Sequence, residues 1–128
     1  MLILHCILHL QSQSINFTNA IAQADIPSGE PVFVELPVDF KSDVGQHDVV
    51  LKLKKSLYGQ AEAARLWYEK LRNGLLEHGF VTSKVDPCMF MSKPMICVVY
   101  VDNCLFWARS QSEIDICNEL FQGGWYQL

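Results

Sequence analysis

The alternation of apolar and polar residues along the chain predicts several short strands. Apolar and polar residues alternate in VFVELP (32–37) and in VVLKLK (49–54), as they do in half-buried strands. The runs PCMFM (87–91), MICVVYV (95–101) and CLFWA (104–108) also fit strands, and the second is apolar enough to be buried on both faces. Two polar stretches, IPSGEP (26–31) and DFKSDVGQHD (39–48), are predicted loops.

Helical spacing replaces this alternation between Gln60 and His78. The apolar side chains that fall on one face are Ala64, Trp67, Tyr68, Leu71 and Leu75. Gly79 follows where a left-handed C-cap is favoured, so the helix is predicted to end there. Arg65, Glu69 and Arg72 lie on other faces at spacings that allow mutual ion pairs, which is a sufficient structural reason for them.

A second helix is predicted in SQSEIDICNELF (110–121). It opens with an N-terminal signature in which Ser and an acid stand three apart, either Ser110 with Glu113 or Ser112 with Asp115. Its apolar residues Ile114, Cys117 and Phe121 follow at helical spacing. The predicted order of elements is a helix or strand, then strands, a helix, a hairpin and a helix.

The stretch VVYVDNCLFW (98–107) places one acid and one amide between two apolar runs. Asp102 and Asn103 tolerate left-handed backbone better than most residues, so they are the predicted two-residue turn of a hairpin. Turn formation alone would be enough to explain a lone carboxylate at this tip. Other parts of the chain bear on whether Asp102 has a further role.

Composition bounds the chain to one domain of ordinary size. It has 128 residues, of which 50% are hydrophobic and 19% charged, with a net charge of −4. This acidity argues against a protein that coats nucleic acid generally. Residues 49–73 nevertheless carry six basic and two acidic side chains, which fits either a phosphate-facing surface or a solvated strand edge and helix face.

Cysteine and histidine spacing predicts no transition-metal site. Five cysteines form no C-x-x-C pair and fit buried thiols in a reducing compartment, and His5 with His9 lacks further ligands nearby. The apolar start of the chain is too short for a membrane span. It also lacks the preceding basic residues that are typical of a signal peptide. We therefore expect a cytoplasmic or nuclear protein that is neither secreted nor membrane-bound.

Three separated stretches resemble the reverse transcriptase of copia-type retrotransposons. They are INFTNAIAQADIPSGEPVFVELPVDF (15–40), LKLKKSLYGQAEAARLWYEKL (51–71) and VDPCMFM with ICVVYVDNCLFWA (85–91 and 96–108). The family's central signature reads approximately L-K-K-S-L-Y-G-L-K-Q-A-P-R-x-W-Y, and residues 53–68 reproduce its beginning, its Arg65 and its Trp67-Tyr68. The resemblance spans about residues 8–116, and 117–128 is a divergent tail.

The resemblance implies an α+β fold, a palm-like antiparallel sheet with packed helices. We expect residues 1–128 to form a single partial reverse transcriptase domain without full fingers, thumb or ribonuclease H domain. In the family, a strand with one Asp lies beside a Y-V-D-D hairpin. These carboxylates hold two Mg²⁺ ions for RNA-directed DNA synthesis on a template-primer with deoxynucleoside triphosphates.

This sequence departs from the family at the positions that carry metal. Asn103 replaces the second acid of the hairpin, and Asn16 stands where the partner strand should carry its Asp, so Asp102 alone remains as catalytic and metal-binding candidate. Asp25 cannot substitute for Asn16 without an odd register shift that turns the apolar face outward. We therefore expect Mg²⁺ binding and polymerase activity to be lost.

The resemblance also implies a nucleotide- and template-binding set: Ile21, Lys55, Tyr58, Gly59, Gln60 and Arg65. Ile21 is itself a departure, because the family carries an aromatic residue there that excludes a 2′ hydroxyl. A Lys and a Pro of the central signature are also missing. The alternative to an inactive polymerase relative is a small nucleic-acid-binding or interaction module that uses the basic segment 49–73 as its contact surface.

Overall fold

The computed structural model describes residues 8–37 and 49–122, together with the single positions Ile3, Cys6 and Asp39. The fold is α+β with antiparallel strands, as the sequence predicts. Three helices are described: α1 (Ala20–Gln23), α2 (Ala63–Glu77) and α3 (Gln111–Gln122). The strands are β1 (Gln11–Asn16), β2 (Phe33–Glu35), β3 (Val50–Lys52), β4 (Val81–Thr82), β5 (Met89–Met91), β6 (Met95–Tyr100) and β7 (Asn103–Ala108).

Five strands form the main sheet in the order β1-β7-β6-β5-β4. Strands β6 and β7 form the predicted hairpin, in which Tyr100 pairs with Asn103. Strand β1 lies antiparallel on the other side of β7, in a register that pairs Asn16 with Asn103. The last residue of β1 is thereby aligned with the tip of the hairpin.

One apolar cluster joins the main sheet to the helices. Alternate residues of the central strands contribute to it, among them Cys97 and Val99 of β6 and Cys104 and Phe106 of β7. The buried helix residues of the cluster are Ala20 of α1, Trp67, Leu71 and Leu75 of α2, and Ile114, Cys117 and Phe121 of α3. Phe121 lies at its centre, with ring centroids 5.7 Å from both Phe17 and Phe106.

Helix α2 confirms the predicted helix, with boundaries three residues later and one residue earlier. Gly79 has φ +82° and ends it, as predicted. The N–H groups of Gly79 and Phe80 donate to the carbonyls of Leu76 and Leu75, the Schellman arrangement of a left-handed C-cap. The prediction for Ala64 was wrong: Ala63 is buried in its place, because the buried face is rotated by one position at the first turn.

Helix α3 settles which of the two N-terminal signatures operates. The Glu113 carboxylate accepts hydrogen bonds of 3.1 Å from the backbone N–H groups of Arg109 and Ser110. Ser110 therefore stands at the N-cap of α3, in one half of a capping box. The predicted core residues of this helix, Ile114, Cys117 and Phe121, are all buried.

Strands β2 and β3 form a separate two-stranded sheet. The sequence predicts half-buried strands, but Phe33, Val50 and Leu51 are all exposed, so the expected burial was wrong for most of this ribbon. Its apolar side chains lie outside the main core cluster because the ribbon does not pair with the five-stranded sheet. The predicted loop 39–48 lies outside the described residues except for Asp39.

Strand β6 is buried more completely on one face than on the other. Met95, Cys97 and Val99 are buried, whereas Ile96 and Val98 are half-buried, so burial on both faces is correct only in part. The prediction of buried thiols holds for Cys97, Cys104 and Cys117 and fails for Cys6, which is exposed. Within the described residues, no helix is long and apolar enough to cross a lipid bilayer.

Candidate active site

The turn of the β6–β7 hairpin consists of Val101 and Asp102, one residue earlier than predicted. Asn103 is not a turn residue but the first residue of β7. Val101 has φ 54°, whereas φ of Asp102 is not positive. This is the pattern of a type II′ turn, which normally carries Gly at its first central position.

Tertiary contacts explain why the turn forms at Val101 rather than at Asn103. The indole N–H of Trp67 donates to the Val101 carbonyl at 2.7 Å. The backbone N–H of Phe17 donates to the Asp102 carbonyl at 2.8 Å. Both turn carbonyls are therefore held by residues outside the hairpin, and these contacts override the local preference of Asp-Asn for turns.

The same turn brings Asp102, Asn103 and Asn16 into one hydrogen-bonded line. The amide Nδ2 of Asn103 donates to the Asp102 carboxylate at 3.0 Å. The amide Nδ2 of Asn16 donates to Oδ1 of Asn103, also at 3.0 Å. All three catalytic positions inferred from the resemblance thus lie together at one end of the sheet, where the β1–β7 register aligns them.

Helix α1 follows this cluster and is held at its C-terminal end by the segment before α2. The Ser56 hydroxyl is buried and donates to the Ile21 carbonyl at 2.6 Å, and its N–H donates to the Ala24 carbonyl at 2.9 Å. The ammonium groups of Lys55 and Lys70 donate to the Gln23 carbonyl at 3.2 and 2.8 Å. Cations at the last carbonyls of a helix complement its dipole.

Asp25 completes this lysine cluster. Its carboxylate lies 2.5 Å from Lys55 and 3.9 Å from Lys70. The hydrogen bond from Lys55 lowers the pKa of Asp25 below its ordinary value, against a smaller opposing effect of burial. Partial burial, and then the charge of Lys55, lower the pKa of Lys70. Asp25 is therefore committed to a structural ion pair.

Tyr58, Gly59 and Gln60 form a tight turn ahead of α2. Gly59 has φ +91°, and the Gln60 side-chain oxygen accepts the backbone N–H of Leu57 at 2.9 Å. The ring of Tyr58 is 60% exposed and is free to meet a ligand from solution. Of the predicted binding set, Ile21 and Lys55 lie at α1, and these three residues lie at the entrance to α2.

Arg65 lies on the outer surface of α2, between two carboxylates of the same helical face. Its guanidinium donates to Glu62 at 2.5 Å and to Glu69 at 2.7 Å. These bonds raise the pKa of Arg65, which is charged at any accessible pH. The predicted pairing of Arg65 with Glu69 is confirmed, and a phosphate group would have to compete with both acids.

Sequence reasoning missed the residues that position the site. Trp67, Ser56 and Phe17 hold the hairpin tip and α1, and each is 1% exposed or less. Trp67 and Ser56 belong to the central signature, so the sequence did mark them. Their side chains were not expected to donate hydrogen bonds to backbone carbonyls. Phe17 gave no signal, because its contact is made through the backbone N–H.

The site holds one carboxylate and two amides, each already used in the line from Asn16 to Asp102. Across the described residues, no group of three or more His, Cys, Asp or Glu side chains is arranged to hold a metal ion.

Comparison with known families identifies the class. The model of the family described as Reverse transcriptase (RNA-dependent DNA polymerase) matches residues 7–122. The chain belongs to this family, and its relatives confirm the resemblance to copia-type retrotransposon enzymes. No solved structure matches the chain significantly.

The relatives are transposon polyproteins, among them several from plants. The chain is 36% identical over 97 residues to the Retrovirus-related Pol polyprotein from transposon RE1 of Arabidopsis thaliana, covering 73% of this chain and 6% of that protein. It is 28% identical over 112 residues to the corresponding polyprotein from transposon TNT 1-94 of Nicotiana tabacum, covering 84% and 8%. The chain thus spans less than a tenth of the length of these relatives.

Proposed function

We propose that this chain is a palm-like portion of a copia-type reverse transcriptase that does not polymerise. The α+β fold with its antiparallel sheet is consistent with a palm, and the family membership supports descent from an RNA-directed DNA polymerase. One observation carries the proposal of inactivity: Asp102 is joined through Asn103 to Asn16, so two amides stand beside a single carboxylate.

Mg²⁺ chemistry explains why this donor set does not suit the family's reaction. Mg²⁺ takes hard oxygen ligands in octahedral geometry, and two adjacent dications need several formal negative charges. An amide supplies an oxygen without charge, and here the Nδ2 group of Asn103 points at Asp102. The residues do not fit a two-metal centre, so no catalytic step is assigned to them.

The surroundings of the inferred nucleotide site support the same reading. Ile21 is aliphatic where the family has an aromatic side chain, and it is packed in part against the core. Lys55 and Arg65 are both engaged by acids of this chain. Template-primer and deoxynucleoside triphosphate would therefore meet a surface whose cations are largely neutralised.

Primer extension tests the proposal. The purified chain is incubated with an RNA template, a labelled DNA primer, deoxynucleoside triphosphates and Mg²⁺, beside the variant in which Asn16→Asp and Asn103→Asp are combined. We expect no extension from the wild-type chain. Extension that disappears in Asp102→Ala would contradict the proposal, whereas extension by the double variant alone would support it directly.

A second candidate function, nucleic-acid binding without catalysis, is favoured by the surface of β3 and the residues after it. Lys52 and Lys54 are exposed, and no ion pair of either is recorded in the described part of the chain. Lys55 is held by Asp25 and serves as an internal comparison. Cations that are not paired within the protein are the ones available to phosphates.

Salt-dependent binding of single-stranded RNA tests this second candidate. If Lys52 and Lys54 contact phosphates, replacing both by Ala lowers the slope of log affinity against log salt by about 1.4, whereas Lys55→Ala changes it less. Binding that is absent, or insensitive to salt, would exclude the module.

A further inference from the structure

The direction of the hydrogen bonds at the hairpin tip is fixed by the one carboxylate. Asp102 only accepts, so Asn103 must turn its Nδ2 group toward Asp102, at 3.0 Å. The Oδ1 atom of Asn103 then faces β1, where Asn16 must present its own Nδ2 group, also at 3.0 Å. Neither amide can reverse without placing two oxygens or two N–H groups against each other.

This line of donors occupies the place where positive charge would otherwise be needed. A cluster of three carboxylates at these distances is stable only when cations or protons lie between its oxygens. Here N–H groups lie between them instead, and the formal charge of the three side chains is −1. The contacts also join three parts of the chain: the end of β1, the turn and the start of β7.

We infer that Asn16 and Asn103 turn this end of the sheet from a cation-dependent carboxylate cluster into a hydrogen-bonded cluster that folds without any metal ion. The inference rests on the proposed function, which takes these positions as former metal ligands. It adds that the amides stabilise the sheet, beyond their effect on polymerase activity. The effect of the two amides is on the stability of the fold, so it can be measured by unfolding experiments without any assay of polymerisation.

Restoring the acids should reverse this stabilisation. With Asn103→Asp, an oxygen replaces the donor that faces Asp102, and with Asn16→Asp, an oxygen replaces the donor that faces position 103. The repulsion falls at the end of β1, whose recorded strand partner is β7 alone. The β1 end and the hairpin tip should therefore separate first.

Thermal unfolding in chelator and in Mg²⁺ tests the inference. The full chain, the two single Asn→Asp variants and the double variant are melted in EDTA and in 10 mM MgCl₂ at one ionic strength. In EDTA we expect the double variant to melt about 5 °C or more below wild type, and each single variant to fall between them. Mg²⁺ should raise the melting temperature of the double variant and leave that of wild type unchanged.

Asn19→Asp is the matched control. Asn19 is an exposed asparagine near the site whose side chain makes no capping hydrogen bond, and its φ of 50° is tolerated by Asp. We expect it to melt within about 2 °C of wild type, in EDTA and in Mg²⁺ alike. A comparable loss there would assign the effect to added charge in general and overturn the inference.

Other outcomes also decide the matter. A double variant as stable as wild type in EDTA would overturn the inference, as would a wild-type chain stabilised by Mg²⁺ as strongly as the double variant. If the double variant is unfolded in EDTA, refolding on addition of Mg²⁺ supports the inference, and the single Asn103→Asp variant supplies a measurable melt. Polymerase activity in wild type would overturn the proposed function without changing these melting temperatures, so the two failures can be told apart.

Discussion

The indole nitrogen of Trp67 lies 2.7 Å from the carbonyl oxygen of Val101, and this contact ties helix α2 to the tip of the β6–β7 hairpin. The Trp67 ring also packs edge-on against Phe17, with centroids 5.4 Å apart. The N–H group of Phe17 in turn holds the carbonyl of Asp102. The position of Asp102 thus depends on two aromatic residues far from it in sequence.

Trp67→Phe separates the hydrogen bond from the packing of the ring. The variant keeps an aromatic ring in the core but leaves the Val101 carbonyl without its donor, so we expect a loss of about 1–3 kcal/mol in the free energy of unfolding. Trp67→Ala should lose more, about 3–5 kcal/mol, because it also creates a cavity. Urea unfolding measures both values.

Tyr68→Phe provides the comparison for that experiment. Its hydroxyl also donates to a carbonyl, that of Pro87 at 2.7 Å, but at an exposed site where water can take its place. We expect a loss of about 0.5–1 kcal/mol. A Trp67→Phe variant no less stable than Tyr68→Phe would mean that the indole bond does not hold the hairpin.

Val101 stores strain in the turn. A β-branched residue in left-handed backbone costs about 1–2 kcal/mol, and Val101 has φ 54° with half of its surface exposed, so little burial opposes its replacement. Val101→Asn should therefore stabilise the chain by up to about 1 kcal/mol. Val85→Asn is the control, because Val85 is exposed but does not have a positive φ. An equal gain in the free energy of unfolding at Val85 would contradict the explanation by backbone strain at Val101.

The hairpin and the two long helices could be predicted because each is marked locally, whereas helix α1 and strand β4 were not predicted. Gly79 marks the end of α2, and Ser110 with Glu113 marks the start of α3. The two apolar runs mark the strands of the hairpin. The turn position could not be predicted, because it is decided by hydrogen bonds from Trp67 and Phe17 that are distant in sequence. Local preference for Asp-Asn gave way to tertiary contacts.

That Asn16, Asp102 and Asn103 would lie close together could be predicted, but the hydrogen bonds between them could not. The spacing of Asn16 and Asn103 in the motifs, read through the resemblance, indicated that they share one site with Asp102, and the register pairs them. That the amides would form one line depends on side-chain rotamers, which a sequence does not specify. Likewise, no pattern in the sequence indicated that Asp25 would form an ion pair with Lys55, one of the residues expected to bind nucleotide or template.

Gly79→Ala tests the C-cap of α2. A Cβ atom at Gly79 would meet no atom within 4 Å, so its cost arises only from φ +82°, and we expect a loss of about 1 kcal/mol. Gly29→Ala meets open space as well but has no positive φ, so it should be neutral or slightly stabilising. Equal effects of the two substitutions in thermal unfolding would contradict this account of the cap.

Asp25 predicts a modest acid sensitivity. The hydrogen bond from Lys55 holds the pKa of Asp25 below its ordinary value of 3.8, so the pair stabilises the folded chain above that value and is lost as the pH falls through the lowered pKa. Because the Asp25 side chain is 70% exposed, the contribution at pH 7 should stay below about 1 kcal/mol.

Asp25→Asn and Lys55→Met should each remove this acid-dependent part of the stability. Unfolding curves recorded between pH 6 and pH 2 should converge for wild type and Asp25→Asn at the acid end and separate toward neutral pH. Lys55→Met should stay less stable than wild type even in acid, because it also loses the hydrogen bond to the Gln23 carbonyl. High salt should reduce the separation. Parallel curves at all pH values would mean that the Asp25–Lys55 pair does not contribute.

The three buried thiols report on the integrity of the core. Burial, followed by the hydrogen bond with Cys104, raises the pKa of Cys97, and burial raises the pKa of Cys117 to about 12, so neither forms a reactive thiolate at neutral pH. We expect a thiol reagent at pH 8 to label Cys6 and Cys88 rapidly in the native chain and Cys97, Cys104 and Cys117 only on unfolding. Cys6→Ala should remove one fast thiol, and Cys117→Ala one slow thiol. Rapid labelling of more than two thiols in the native chain would mean that α3 does not stay packed on β7, because Cys117 and Cys104 lie in the same core cluster.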